Sequence, residues 1–363
     1  MTRAPTPPPR AGAASPAPAE LMNGPTLYPV SLDFERRTAT VVAVTRERFC
    51  EVGFHGPRNL DPDGAGARYD LSALLADPPV PDPDAPPLHY VLHMGLCCST
   101  LLGRALDRLP GVFCLREPTA LNELTMWIER AHDAAGHASP WQASAEAEPW
   151  LRLLHFLLQR GYRGGRGNVV KTLPQTALIA PWLLERDERS RALYLYVDPT
   201  TFLCQTLRSR RRRTWVRGCL RFSHADWRAS YDTLSDCEAA AMTWATRMEQ
   251  YRRLRRGPFG ARVRRLDGGR LVVDRAPAFG EAVAALALPC DANDLARVLA
   301  DPLWAAHAKG PARAYDAYDR QDLLERVRLR CRSEIQRGLE WLAANVPWFA
   351  PERPAFGADD GAA

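Results

Sequence analysis

The sequence predicts an α/β fold, a mostly parallel sheet flanked by helices and preceded by a small β-hairpin unit. Three observations carry this. From about residue 88 onward, short apolar runs alternate with longer segments of helical periodicity, the pattern of strands covered on both faces by helices. Within that region His89–Leu102, HYVLHMGLCCSTLL, reads as a buried strand, a turn of small residues and a helix opening at Ser99-Thr100. Ahead of it the Pro/Asp-rich stretch Asp77–Pro87 separates a segment of strand-like alternation from the rest.

Residues 1–26 are Pro/Ala-rich and cannot bury enough apolar surface to order themselves, so a flexible tail is expected there. From Thr26 to Phe54, YPVSLDF and TATVVAV flank a polar turn at Glu35-Arg36-Arg37, the pattern of a β-hairpin, with the short segment Arg46–Phe54 after it. The hairpin and the linker form a unit over 27–87, and the α/β domain spans 88–350, with a second flexible tail at 351–363. Strands are expected at 89–93, 112–115, 168–171, 192–197 and 270–274. A helix from Ser99 to Leu109 is stopped by Pro110-Gly111. Another, Pro149–Arg160, places Trp150, Leu153, Leu154, Leu157 and Leu158 on one stripe, and Gly161 ends it. Glu238–Arg256 and Gln321–Asn345 complete the long helices, the last with Leu324, Val327, Ile335, Leu339 and Leu342 as its buried face.

Composition narrows the function classes. A chain of 363 residues, 46% hydrophobic, can bury a large core, and its net charge of +6 suits an anionic ligand. The nine cysteines contain no C-x-x-C, which supports neither a zinc site nor a disulfide framework, and a reducing cytoplasm fits. Residues 1–20 have no apolar h-region. The most apolar run, Leu151–Leu158, is interrupted by His155 and too short to cross a bilayer. All but two of the 48 Lys+Arg residues are arginine, so Lys171 and Lys309 stand out as compact point charges that a planar guanidinium does not imitate.

The turn His93–Cys98 feeding a helix N-terminus is a phosphate-binding arrangement in principle. First-turn N–H groups lack helical partners and lie at the positive end of the helix dipole, and Ser99 and Thr100 add hydroxyls. No glycine-lysine pair precedes Ser99, which disfavours a Walker A nucleoside triphosphatase. Glu117 follows the second strand and Lys171 ends the third, both at the sheet edge where open α/β sheets gather ligands. There a carboxylate suits proton transfer and a fixed cation suits developing negative charge.

These segments resemble the P-loop sulfotransferases, and more closely their divergent bacterial branch. HMGLCCSTLLGRALDRLPGVFCLREP resembles the family's 5′-phosphosulfate loop, helix and following strand. The resemblance makes Gly95, Leu96, Cys97, Cys98, Ser99 and Thr100 the phosphate cradle; His93, at the strand end beside it, reads either as a donor to the sulfonate or as a turn residue. Leu96 stands where the family has Lys or Arg, and Cys98 where it has Gly. Glu117 matches the general base, and Lys171 of NVVKTLP matches a lysine near the transferring group, so Lys171 would replace the charge missing at Leu96. In RALYLYVDPTTFLCQTLRSRRRR the chain keeps Asp198-Pro199 but has Val197 and Gln205 in place of the arginine and serine that grip the 3′-phosphate. Arg208 and the run Arg210–Arg213 follow, the run itself reading better as a solvated basic helix end. AHAKGPARAYD resembles the late basic loop, with Lys309 and Arg313 as candidates.

The implied reaction is transfer of a sulfuryl group from 3′-phosphoadenosine 5′-phosphosulfate (PAPS) to a hydroxyl or amine of a small-molecule acceptor, with no metal. The N-terminal unit and the helices around 124–160 and 215–256 would shape the acceptor pocket. Two other classes stay open: a non-catalytic binding or partner protein of this fold, for which Leu96, Val197 and Gln205 speak, and a nucleotide-dependent phosphotransferase. Nucleic-acid binding is disfavoured, because no aromatic side chains interleave the arginine run. His132 and His137 are expected in a loop, and His224 and Asp226 carry no evident chemistry. Cys97-Cys98 reads as a pair of small residues in a crowded turn, with redox activity at a helix N-terminus the other option.

Overall fold

A computed structural model describes residues 21–22, 26–80, 82–135, 146–161, 165–220, 231–307, 310–314 and 317–349. Among the described residues, ten strands form three sheets. β1 (Leu27–Asp33), β2 (Thr38–Ala43) and β3 (Ala67–Asp70) make an antiparallel sheet in that order. β4 (Leu88–His93), β5 (Val112–Arg116), β6 (Gly167–Lys171), β7 (Ala192–Tyr196) and β8 (Val263–Asp267) make a wholly parallel sheet of order β5-β6-β4-β7-β8. β9 (Ala306–His307) and β10 (Gly310–Ala314) pair antiparallel. The fold is therefore the α/β arrangement expected, a parallel sheet flanked by helices with a small antiparallel sheet at its N-terminal side.

Every residue of β4, β5 and β6 is buried, as strands covered on both faces must be. The chain enters this sheet at its centre, builds β5 and β6 on one side, then crosses β4 to build β7 and β8 on the other. The order of connection reverses beside β4, which opens a crevice at the C-terminal ends of the strands. Register places Arg116 opposite Lys171, Lys171 opposite Val91, and His93 opposite Leu195 along that edge.

The helices form where the pattern put them, with shifted ends. Ala147–Gln159 buries Trp150, Leu153, Leu154, Leu157 and Leu158. Asp236–Arg256 opens on a capping box between Ser235 and Glu238. Ser99–Leu106 stops earlier than the proline-glycine pair suggested.

Five expectations need correction. The strand expected at 270–274 is the short helix Arg270–Val273, and the fifth strand is Val263–Asp267. The run Leu271-Val272-Val273 looked like a buried strand, but only Leu271 is buried and Val273 is 69% exposed. The true edge strand, VRRLD, hides its pattern behind two arginines. The long C-terminal helix is two, Ala317–Arg330 and Arg332–Asn345, broken at Cys331. The N-terminal unit has a third strand, and Leu21, placed in the tail, is fully buried. The arginine run opens the helix Arg210–Cys219 instead of closing one, so it does not complement that helix's dipole. Finally, His132 lies in the helix Thr119–Ala135. His137, His224 and Asp226 lie outside the described residues.

Three sets of contacts dock the N-terminal sheet onto the main domain. Glu123 accepts the Leu32 N–H at 2.7 Å, and Phe34 stacks on Trp127 with centroids 4.9 Å apart. Arg160 donates to the carbonyls of Leu21 and Leu27. At the end of β5, Arg116 is buried in an ion pair with Asp107 and donates to the carbonyls of Phe49, Cys50 and Val52, closing the C-terminus of the helix Arg46–Glu51. The next segment runs beside β5: the His55 N–H donates to Arg116 O at 2.7 Å, and His55 Nδ1 accepts the Arg116 N–H at 2.9 Å.

Candidate active site

Three strand ends converge at the crevice. β4 ends at His93, whose Nε2 faces the Thr172 carbonyl at 2.8 Å while its Nδ1 accepts the Gly95 N–H at 3.0 Å. Those partners fix a neutral Nε2–H tautomer, because a protonated ring has no acceptor to offer Gly95. His93 is thus the residue that pins the turn to the end of β6, and both ring nitrogens are engaged in doing so.

The turn runs through unusual backbone. Gly95, Leu96 and Cys98 have φ of +88°, +57° and +61°, so the chain coils through left-handed space before the helix Ser99–Leu106 begins. Gly95 has a reason beyond φ, since an added Cβ would stand 2.5 Å from the Trp215 ring. On the far side, Gly268 packs its Cα against the Cys97 carbonyl, leaving no room for a Cβ. No side chain caps the helix N-terminus. Ser99 and Thr100 are buried at its head. Sharply turned backbone leading into open first-turn N–H groups favours an anion.

Cys97 is fully buried and its thiol is pushed up to about 12 by burial first, with Cys98 adding to the rise. Burial raises Cys98 as well. Desolvation opposes the helix N-terminus here and disfavours the thiolate that redox chemistry needs. The positive charge of Lys171 opposes the rise at Cys97 and also at Cys114 in β5.

Lys171 and Glu117 form an ion pair across the ends of β6 and β5. The Lys171 side chain is 1% exposed and that of Glu117 19%, so the cation is inside and the carboxylate faces the crevice. Glu117 adopts φ +56°, and its N–H donates to Lys171 O at 2.6 Å. A left-handed glutamate is strained by about 1–2 kcal/mol. The strain turns its side chain back toward Lys171. The Phe54 ring lies 5.7 Å from Lys171 Nζ, brought there by the pairing of His55 with Arg116.

Further along, Gln205 is buried and its Oε1 accepts from both Arg208, at 3.2 Å, and Arg212. Val197 is packed core, its N–H on Met94 Sδ at 3.4 Å and its carbonyl accepting from Trp244 Nε1 at 2.9 Å. Arg213 is held by Glu334 and Asp236. The structure thus brings together His93, the 95–100 turn, Lys171 and Glu117, and sets Arg208 on Gln205. Arg313 falls in β10, and Lys309 lies outside the described residues. Sequence reasoning missed Phe54, Trp215 and Arg320 as neighbours of the site. Each arrives from a segment remote in sequence, and no local pattern marks it.

Among the described residues, no three His, Cys, Asp or Glu side chains cluster as a metal site would, and no helix is long and apolar enough to cross a membrane. No family model and no curated protein matches the chain. Solved structures similar to it include sulfotransferases. One is the sulfotransferase domain from the curacin biosynthetic pathway, 16% identical over 71% of this chain and 98% of that one, with a TM-score of 0.38. Another is the sulfotransferase STF9 from Mycobacterium avium, 13% identical over 75% and 82%, with a TM-score of 0.35. A third is the sulfotransferase domain of the Synechococcus PCC 7002 olefin synthase, 16% identical over 68% and 97%, with a TM-score of 0.35.

Proposed function

We propose that this protein transfers a sulfuryl group from PAPS to a hydroxyl or amine of a small-molecule acceptor. One observation carries the reading: a buried lysine and a crevice-facing glutamate are paired beside an uncapped helix N-terminus at the switch point of a parallel sheet. When bound, PAPS supplies a sulfuryl group on a phosphate leaving group. Glu117 accepts the proton from the acceptor's nucleophile, and Lys171 holds positive charge where negative charge develops. Gly95, Leu96, Cys97, Cys98, Ser99 and Thr100 hold the 5′-phosphate side through backbone N–H groups and two hydroxyls. His93 keeps that turn in register with Lys171 through its bonds to Thr172 and Gly95.

The residues present fit a phosphate at the turn, whose N–H groups no side chain caps. For the 3′-phosphate, Val197 is sealed in the core and Arg208 and Arg212 are held by Gln205, so these two arginines would have to exchange that carbonyl for the phosphate; Lys309 and Arg313 are candidates from the resemblance alone. Small-molecule acceptors and a cytoplasmic setting belong to the same reading. The second reading, a binding protein without turnover, draws on Val197 and on the Gln205 carbonyl that occupies both arginines.

Calorimetric titration with adenosine 3′,5′-bisphosphate, ATP and ADP tests the proposal. Binding of the 3′-phosphorylated nucleotide alone, weakened at least tenfold by Lys171→Ala, supports it. Preference for ATP moves the reading to phosphoryl transfer, and binding of none of the three sinks the donor assignment.

A further inference from the structure

The turn lacks a cation of its own, since Leu96 stands where the resemblance calls for one, and a basic side chain reaches it from the far end of the chain. Arg320 lies in the first turn of Ala317–Arg330 and is 8% exposed. Its two terminal nitrogens lie 3.7 Å from where a Cβ on Gly269 would stand, so the guanidinium rests on that glycine. The preceding residue, Gly268, rests in turn on the Cys97 carbonyl. The guanidinium therefore sits one layer of backbone from the turn, and its charge reaches the Cys98 thiol, opposing the rise that burial causes there.

Arg320 Nη2 is buried with no hydrogen-bond acceptor among the described residues. An acid whose charge couples to it is Asp267, whose carboxylate accepts the Gly269 N–H at 2.8 Å. Burial raises Asp267, Asp198 adds to the rise, and Arg320 and Arg270 oppose it. Asp267 thus tempers the positive charge without forming an ion pair with Arg320. A buried guanidinium with an open N–H and an uncapped helix N-terminus approach the same turn from two directions. That combination favours a multiply charged oxyanion.

We infer that Arg320 is the anion-binding cation of this turn, contacting the 5′-phosphosulfate end of the donor together with the head of the helix Ser99–Leu106. The identity of the ligand rests on the proposed function; the anion site does not. Arg320 thereby takes over the work of the missing cation at position 96. Lys171, engaged with Glu117, is left for the transfer itself.

The test uses the full chain, as wild type, Arg320→Lys and Arg320→Met, titrated with adenosine 3′,5′-bisphosphate, adenosine 3′-phosphate and inorganic pyrophosphate. Arg320→Met is expected to bind the bisphosphate and pyrophosphate at least tenfold more weakly, with adenosine 3′-phosphate changed less than twofold. Arg320→Lys falls between. The melting temperature of Arg320→Met without ligand should be no lower than wild type, since Nη2 has no acceptor among the described residues to give up. Equal weakening of all three probes, or no weakening of any, overturns the inference. Bisphosphate binding that ignores Arg320 leaves the sulfotransferase reading standing and removes this one. Pyrophosphate binding that depends on Arg320, with no nucleotide bound, does the reverse. If wild type binds none of the probes, both fall.

Discussion

The asymmetry of the Lys171–Glu117 pair sets up a double-mutant cycle with unequal arms. Glu117→Gln keeps an acceptor but removes the counter-charge of an ammonium that is 1% exposed, and leaving a buried charge uncompensated costs about 3–5 kcal/mol. Lys171→Met leaves a carboxylate that already reaches solvent, 19% exposed, and water can replace its partner at a cost of about 1–2 kcal/mol. With about 2.1 cal/mol/K of unfolding entropy per residue, a chain of 363 residues shifts its Tm by roughly 1.3 °C per kcal/mol. The glutamine variant should therefore melt about 4–7 °C low and the methionine variant about 1–3 °C low. The double variant should melt above the sum of the two losses, with about 1–3 kcal/mol of coupling. Differential scanning calorimetry reads the stabilities. Turnover should fall roughly 100-fold or more in each single variant, and by much less than the product in the double. Equal arms, or strictly additive stabilities, would refute the claim that the two side chains act as one unit with the cation inside.

Gly268→Ala drives a methyl into the Cys97 carbonyl, and we expect at least a tenfold loss of nucleotide affinity by calorimetry. Gly280→Ala, in a helix with open space around the site, should leave affinity unchanged and gain about 0.5–1 kcal/mol of stability in urea titration. His89 and His155 are both held near 4, by burial first, and His55 is likewise held down. The unfolded chain thus binds protons that the folded chain refuses, and stability should fall as pH drops from about 6.5 toward 4, with a flatter urea-midpoint profile in His155→Gln. Glu123 has the opposite sign: burial raises it to about 7, so its contribution to stability declines as pH rises from about 4.5 to 7. Glu123→Gln keeps an acceptor for Leu32 and should remove that decline when midpoints are compared at pH 5 and 8.

Much of the sheet was legible in the chain because parallel strands buried on both faces announce themselves as apolar runs. His89–His93 and Asn168–Lys171 are such runs, and both end in a polar residue at the crevice. β8 was hidden because an edge strand needs only one buried face, and Arg264 and Arg265 masked it. The break at Cys331 was hidden because helical periodicity continues through it. Lys171 was legible as a rarity, and Glu117 by its place after a strand, but their pairing depends on the left-handed backbone at Glu117, which no residue type there advertises. Phe54 and Arg320 were illegible for another reason: their roles are set by which distant backbone they rest on, Arg116 in one case and Gly269 in the other.

The alignment of residues 49–55 along the end of β5 has a consequence for solubility. β5 and β8 are the two margins of the parallel sheet, and a bare margin offers unpaired N–H and C=O groups to any passing strand. β8 guards its margin with the exposed Arg264. β5, VFCLR, carries no charge before Arg116, and at its C-terminal end the protection comes from the docked N-terminal segment. Trimming the first 87 residues to leave the parallel sheet and its helices should therefore give a protein that self-associates, because a strand end built to be covered would be left to template the next molecule.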